Sequence, residues 1–271
     1  MKQTRFLMGM HITVEVVDPN VDPVHIDEVY RYFRYVDRKF STYKETSEIS
    51  RINQNRWLRN RYSADMKRVL ALCELTRQQT NGYFDIGHNG KLDPSGLVKG
   101  WSIWQAARLL RRRGYRHFYV DAGGDIQVAG RNAQGEPWRV GIRNPFNGGE
   151  IVKVVSLAND EGIATSGTAC RGQHIYNPYR PNQAITEIVS LSIIGSNIYD
   201  ADRFATAAFA MGPEGIYFVE ELPGFEGYMI DSHGIATYTS GFERYVAPHL
   251  DLPGAHAAAE PALVSKEDSS R

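Results

Sequence analysis

Cysteine is scarce in this chain. There are two among 271 residues, Cys73 and Cys170, and neither belongs to a C-x-x-C pair. That excludes a disulfide framework and a cysteine-built zinc site. Charge imbalance is absent as well, with 31 basic against 31 acidic residues. No global field would draw the protein to nucleic acid or to an anionic membrane. The basic run Arg111, Arg112 and Arg113 closes an apolar helical pattern, where cations complement the helix dipole. No apolar run approaches the ~18 residues of a membrane span. The opening MKQTRFLMGMHITVEVVD alternates, with Ile12, Val14 and Val16 on one strand face, and has no continuous apolar core of a signal peptide. A cytoplasmic location is therefore expected. Two familiar nucleotide motifs are missing too. G-x-G-x-x-G does not occur, and after Lys99 a Walker A loop would need a hydroxyl where Gly100 stands. Serine, histidine and aspartate show no triad spacing.

What is present is an ordinary globular composition, 42% hydrophobic and 23% charged, enough for a substantial core. HIDEVYRYFRYVDRKF places Ile26, Val29, Tyr30, Phe33, Val36 and Phe40 on one helical stripe. Further helices are predicted over about 64–80, 97–113, 200–211 and 213–222. GYFDIGHNGKLDPSGLVKG, rich in glycine, reads as a loop. Short strand patterns follow in HFYVDA, DIQVAG, WRVGIR, EIVKVVSLA and EIVSLSII, and GYMIDSHGIATYTSG reads as a closing hairpin turning at 232–234. Helices that precede strands, without a long βαβ series, indicate an α+β class. No linker divides residues 1–249. Residues 250–271 carry Pro, Ala and charge without periodicity, and read as a flexible tail.

Several residues have the right chemistry for a site. In YDADRFATAAFAMG, Asp202 and Thr206 stand one helical turn apart and offer two hard oxygens of the kind Mg²⁺ takes. The competing reading makes Asp200 or Asp202 a helix cap and packs Thr206 inside. In DPSGLVKG, glycines 96 and 100 allow close backbone approach, and Lys99 at a helix start suits an anion. A tight turn with a solvated lysine is the alternative. VDAGGDIQVAG reads as a hairpin turn at Gly123 and Gly124 before Asp125. GIATSGTACRGQHIYNP contributes Ser166 and, as a possible general base, His174.

The order of these pieces is more specific than any one of them. MGMHITVEV, FSTYKETSEISRIN, GYFDIG, DPSGLVKGW, VDAGGDIQVAG, WRVGI, ATSG, HIYNP and ADRFATAAFAMG together resemble the FAD:protein FMN transferase (ApbE-like) family, over about Met8 to Phe242. The resemblance implies a single T-fold-like α+β domain with mixed or antiparallel sheets and packed helices. It implies an enzyme that transfers FMN from FAD to a Thr or Ser of an acceptor protein, using Mg²⁺ and releasing AMP. By the same resemblance Asp202, Thr206 and the Gly96 carbonyl are metal ligands. Asp93 and Lys99 lie beside the diphosphate. Ser41 and Tyr43 belong to a nucleotide-side segment. Gly123, Gly124, Asp125 and Ser166 line the ligand. His174 is the candidate base, so that His174, Asp202 and Lys99 form the catalytic set. The chain departs from the family pattern in four places. Only IGHNGKL separates Phe84-Asp85 from Asp93, Asn177 replaces a carboxylate in HIYNP, the hairpin before His174 is short, and Pro94-Ser95 stand where Leu and Gly are favoured. An FAD carrier without transferase activity, or an FAD pyrophosphatase, are the alternative functions. DSHGIAT, Asp231 to Thr237, loosely resembles an acceptor motif, but a terminal hairpin accounts for it better.

Overall fold

A computed structural model describes residues 1–55, 59–168, 172, 175–247 and 262–263. In chain order the elements are β1 (Lys2–Leu7), β2 (Met10–Val16), α1 (Pro23–Phe40), α2 (Glu48–Asn53), α3 (Ala64–Gln79), β3 (Gly87–His88), β4 (Lys91–Leu92), α4 (Ser95–Arg112), β5 (Phe118–Ala122) and β6 (Asp125–Ala129). They continue with β7 (Trp138–Arg143), β8 (Ile151–Leu157), β9 (Gly162–Gly167), β10 (Ile188–Gly195), α5 (Ile198–Ala210), α6 (Gly215–Glu220), β11 (Glu226–Asp231), β12 (Ala236–Tyr238) and β13 (Ala262–Leu263). The α+β class is as expected. Of the predicted tail only β13 is described; it pairs in parallel with β12, and the rest of 250–271 lies outside the described residues.

One sheet organises the molecule, in the order β1-β2-β5-β6-β9-β10-β11-β12-β13. Its inner strands are buried on both faces, so alternate residues serve different cores. Along β10, Ile193 joins the core beneath α1, α4 and α5, while Ile194 joins the one beneath β7 and β8. On β11, Met229 and its neighbours Tyr228 and Ile230 divide in the same way. That is why EIVSLSII is nearly continuous in apolar character. A third core, with Val36, Phe40, Ile49, Leu97 and Trp101, sits between α1, α2, α3 and the start of α4. Among the described residues no helix is long and apolar enough to cross a membrane. Cys73 is buried within α3, and burial pushes its thiol up to about 12, so it is inert. Cys170 lies outside the described residues.

Three local expectations are corrected. The first strand is one arm of a hairpin, because β1 pairs antiparallel with β2; the polar, alternating KQTRFL conceals an edge strand. The segment 87–92, expected as loop, forms the hairpin β3–β4 around Asn89-Gly90. Both turn residues have positive φ, as a two-residue type I′ hairpin requires. Thirdly, neither aspartate caps α5. Asn197 does, its Oδ1 accepting from the Asp200 amide at 2.9 Å while its Nδ2 donates to the Asp200 carboxylate at 2.8 Å. Asp200 thus steadies the capping side chain, and it also holds Arg203. Replacing Asn197 by Ala removes both bonds, and should lower unfolding stability by about 1–2 kcal/mol, read from urea denaturation. An unchanged midpoint would contradict this cap.

Candidate active site

α4 and α5 cross with almost no space between their backbones, and two glycines are the reason. A Cβ on Gly100 would lie 2.5 Å from Asp202 Cβ and 2.7 Å from the Ile198 carbonyl oxygen. A Cβ on Gly96 would lie 2.8 Å from Thr206 Cγ2. The four-residue spacing 96/100 on one helix thus meets the four-residue spacing 202/206 on the other. These glycines admit a neighbouring helix, where the sequence suggested that they admit a ligand.

The crossing brings oxygens together. Asp202 is buried, and its Oδ2 accepts from the Gly100 amide at 2.7 Å. The Thr206 hydroxyl donates to the Gly96 carbonyl at 3.2 Å. Lys99, from the next position on α4, places its ammonium 2.6 Å from Asp125 Oδ2 and 3.7 Å from Asp202 Oδ1. Asp125 opens β6 directly after the Gly123-Gly124 turn. Both glycines have positive φ, and the turn pairs Ala122 with Asp125, so the tight hairpin delivers the carboxylate to Lys99. Its other oxygen accepts from the Thr165 amide at 3.1 Å. Lys99 is therefore a counter-ion set between two carboxylates, and neither a solvated lysine nor a lone anion ligand.

One ammonium faces two buried carboxylates. Burial first, and then the Asp125 charge, push the Asp202 carboxyl up to about 7, against the pull of Lys99 and of the Gly100 amide. Nearby, burial also raises the Asp121 carboxyl, with Asp125 adding to the effect. The site is short of positive charge. Among the described residues no group of three or more His, Cys, Asp or Glu could form a metal cage. A carboxylate, a hydroxyl and a main-chain carbonyl are nonetheless a hard-oxygen set of the kind Mg²⁺ accepts when a substrate supplies the remaining ligands. The 3.2 Å between Thr206 Oγ1 and the Gly96 oxygen is close to the ~3 Å between neighbouring oxygens in an octahedron of ~2.1 Å bonds. The residues present fit a magnesium ion.

This cluster floors a cleft of about 1240 Å³. The cleft is lined by Tyr43, Asp93, Gly96, Lys99, Gly123, Gly124, Asp125, Ser166, Asp202 and Thr206, all expected from the sequence. Tyr43 stands 91% exposed at its mouth. Asp93 also receives the Ser95 amide at 3.0 Å, which starts α4. Ser41 is not brought into the lining; it ends α1, and its carbonyl accepts from the Ser50 hydroxyl at 3.5 Å. His174 lies outside the described residues.

The serine-asparagine spacing in SEISRIN has a structural meaning. Ser47 caps α2 by accepting from the Ser50 amide at 3.1 Å. Asn53 clamps β4, donating to the Leu92 carbonyl at 2.9 Å and accepting from its amide at 2.8 Å. The pattern positions one cleft wall. Sequence reasoning missed that wall's other part. His88, on the unrecognised hairpin, packs against Tyr176 with ring centroids 4.2 Å apart and the rings tilted by 36°. The Tyr176 hydroxyl donates to the carbonyls of Asp85 and Gly87, so Tyr176 docks against the start of β3. Asn177, in place of a carboxylate, accepts from the Tyr179 amide at 2.9 Å and so still makes the turn. The Asn-Gly turn was the available signal. Also missed was Ile142-Arg143, along β7, which lines the cleft. In DSHGIAT, Asp231 Oδ1 accepts from the amides of His233 and Ile235, so this stretch is a hairpin turn.

Comparison with known proteins bears on this geometry. The chain is 28% identical over 167 residues to an FAD:protein FMN transferase of Klebsiella pneumoniae (strain 342), an alignment that covers 59% of this chain and 46% of that protein. It thus spans about half the length of that relative. A Haemophilus influenzae protein of the same name is 24% identical over 284 aligned positions, covering 80% of this chain and 82% of that one. Two solved structures share the fold. The flavin transferase ApbE from Vibrio cholerae has a TM-score of 0.78 at 21% identity, covering 90% of this chain and 98% of that one. The apbe protein from Thermotoga maritima has a TM-score of 0.80 at 19% identity, covering 92% and 99%. The family model described as ApbE family matches residues 8–90 and 87–229, which hold the inner strands of the sheet and both site-bearing helices, and the chain belongs to that family.

Proposed function

We propose that the protein is a Mg²⁺-dependent transferase that takes FMN from FAD and attaches it to a Thr or Ser of an acceptor protein, releasing AMP. One observation carries the reading. A cation-deficient cluster, Asp202, Asp125 and Lys99, lies at the floor of a cleft of about 1240 Å³, above the ~300–1,000 Å³ usual for one small ligand. That leaves room for a dinucleotide and for a side chain from a second substrate.

In this reading Asp202, Thr206 and the Gly96 carbonyl hold the magnesium ion, which when bound neutralises phosphate charge and withdraws electron density from the phosphorus. Asp202 is held still by the Gly100 amide. Lys99 balances the two carboxylates, so the floor tolerates an approaching diphosphate once the cation is present. Gly124 and the turn before it keep side chains out of the ligand's way. Tyr43 and the tilted His88–Tyr176 pair offer aromatic faces on the cleft walls. The acceptor hydroxyl oxygen forms a bond to the FMN phosphorus, the bond from that phosphorus to the AMP oxygen breaks, and the hydroxyl proton passes to a base. We assign that base to His174, on the sequence alone.

The test is incubation with FAD and Mg²⁺, with and without a candidate acceptor, followed by mass spectrometry and AMP analysis. FMN on the acceptor together with AMP is the expected result. Free FMN and AMP without an acceptor would make the protein a hydrolase, and bound intact FAD would make it a carrier. His174→Ala should slow transfer by about 10²–10⁴-fold while FAD still binds; full activity would remove His174 from the base role.

A further inference from the structure

β7 has β8 as its sole strand partner among the described residues. Its other edge has no strand partner among the described residues, and the direction of its main-chain groups can be worked out. The Ala247 amide donates to the Val154 carbonyl at 2.9 Å, and Val155 bridges Val246. Val154 therefore directs its main-chain groups away from β7. Gly141 is its register partner. In an antiparallel pair such opposed residues exchange no bonds, and each turns its N–H and C=O outward. Gly141, and by alternation Arg139, thus present donor and acceptor groups along the open edge.

That edge borders the cleft. Val140, Gly141, Ile142 and Arg143 all line it, four consecutive residues. A strand met on its face would contribute alternate residues only, so the cleft meets β7 edge-on. Gly141 sits in mid-strand and is exposed; the Ile151 side chain of β8 packs over it, 2.7 Å from where a Cβ would stand, so it puts no side chain of its own beside the edge. Arg139 and Arg143 are both exposed on the outer face, on either side of it. Among the described residues neither forms an ion pair.

We propose that the acceptor protein docks as an added strand on the open edge of β7, through an extended, acidic segment that carries the Thr or Ser. This rests on the transferase reading, since it names how that reaction's second substrate is held. The edge supplies main-chain hydrogen bonds at Gly141 and Arg139, the two arginines select negative charge, and continuity with the cleft carries the segment's hydroxyl toward the Asp202 floor. Strand addition of this kind takes affinity from the backbone and specificity from alternate side chains.

The test uses the full chain with FAD and Mg²⁺, and a labelled, Asp-rich synthetic peptide with a single threonine. Binding is read by fluorescence anisotropy, and FMN transfer to the peptide is read separately by mass spectrometry. N-methylation of alternate peptide amides, in the frame that faces Gly141, should weaken binding about tenfold, the equivalent of one or two lost hydrogen bonds. R139E, at the position farther from the cleft, should weaken it severalfold, and should shift preference toward a Lys-rich counterpart, with FAD affinity unchanged by flavin fluorescence. Equal binding of methylated and unmethylated peptides in both frames, absence of peptide binding, or loss of FAD affinity in R139E would overturn the proposal. Transfer that persists without sensitivity to methylation would sink strand docking and leave the transferase reading intact. Methylation-sensitive binding with no transfer would retain the docking edge and sink the transferase reading.

Discussion

Asp202→Asn is expected to lower Mg²⁺-dependent FMN transfer by about a thousandfold, roughly 4 kcal/mol of transition-state stabilisation. The same change should make the metal-free protein more stable. Asn keeps an oxygen for the Gly100 amide and leaves Lys99 paired with Asp125, yet buries no second negative charge. The pH dependence follows from the raised Asp202 carboxyl. Between the ordinary carboxylate range and that raised value, the folded state holds a proton that the unfolded state has released. Stability from this group therefore falls as pH rises through the window. The variant lacks this loss. Its melting temperature should exceed that of the native protein by about 3 °C at pH 8, for ~1 kcal/mol in a chain of this size, and the difference should vanish below the ordinary carboxylate range, where Asp202 is protonated in both states. Added Mg²⁺ should raise the melting temperature of the native protein and leave that of the variant unmoved. Calorimetry across pH, with and without Mg²⁺, checks all three. A variant that keeps full activity, or a melting temperature that still climbs with Mg²⁺, would remove Asp202 from the metal site.

Gly100→Ala is the second large effect, and its sign is the informative part. In a helix interior, alanine is favoured over glycine by ~1 kcal/mol, so propensity alone predicts a more stable protein. The contacts predict the reverse. The new Cβ would meet Asp202 Cβ at 2.5 Å and the Ile198 carbonyl oxygen at 2.7 Å. The latter is backbone of a tightly packed helix and cannot swing aside. Overpacking of this kind costs about 1–3 kcal/mol or more, and here it pushes α5 from α4 at the level of Asp202. A net loss of about 2 kcal/mol is expected, with a weakened thermal response to Mg²⁺. Gly148, with no atom within 4 Å of its Cβ position, is the control, where alanine should stay within about 0.5 kcal/mol. Urea denaturation of the two variants decides. A stabilised Gly100→Ala protein would mean that the helices are free to separate.

The same pair of helices shows what was legible in the sequence and what was not. The spacing of Asp202 and Thr206 alone put two oxygens on one helix face. The spacing of Gly96 and Gly100 alone indicated close approach. That the two spacings meet each other was invisible, because a helical period says which face is special and says nothing about what the face touches. Lys99 is a similar case. A lysine at a helix start suits an anion, but its partners, Asp125 and Asp202, are 26 and 103 positions away in the chain. Only the fold makes them neighbours. The cap of α5 was misread because Asp and Asn serve equally well in that role, and the choice of Asn197 depends on where β10 releases the chain.

Local signals did determine a good deal. The stripe along α1, the alternation in β2, the doubly buried β10 and the Gly123-Gly124 turn follow from periodicity and from positive φ, which act within a few residues. The Asn89-Gly90 turn was equally local, and was lost among the glycines around it. Tertiary structure decided the rest. The charge deficit at Asp202 arises from burial and from a second carboxylate on a distant strand, and Gly141 turns its main-chain groups away from β8 because its partner Val154 spends its carbonyl on Ala247. Each depends on groups distant in sequence, and long-range electrostatics and packing carry no period by which a sequence could announce them.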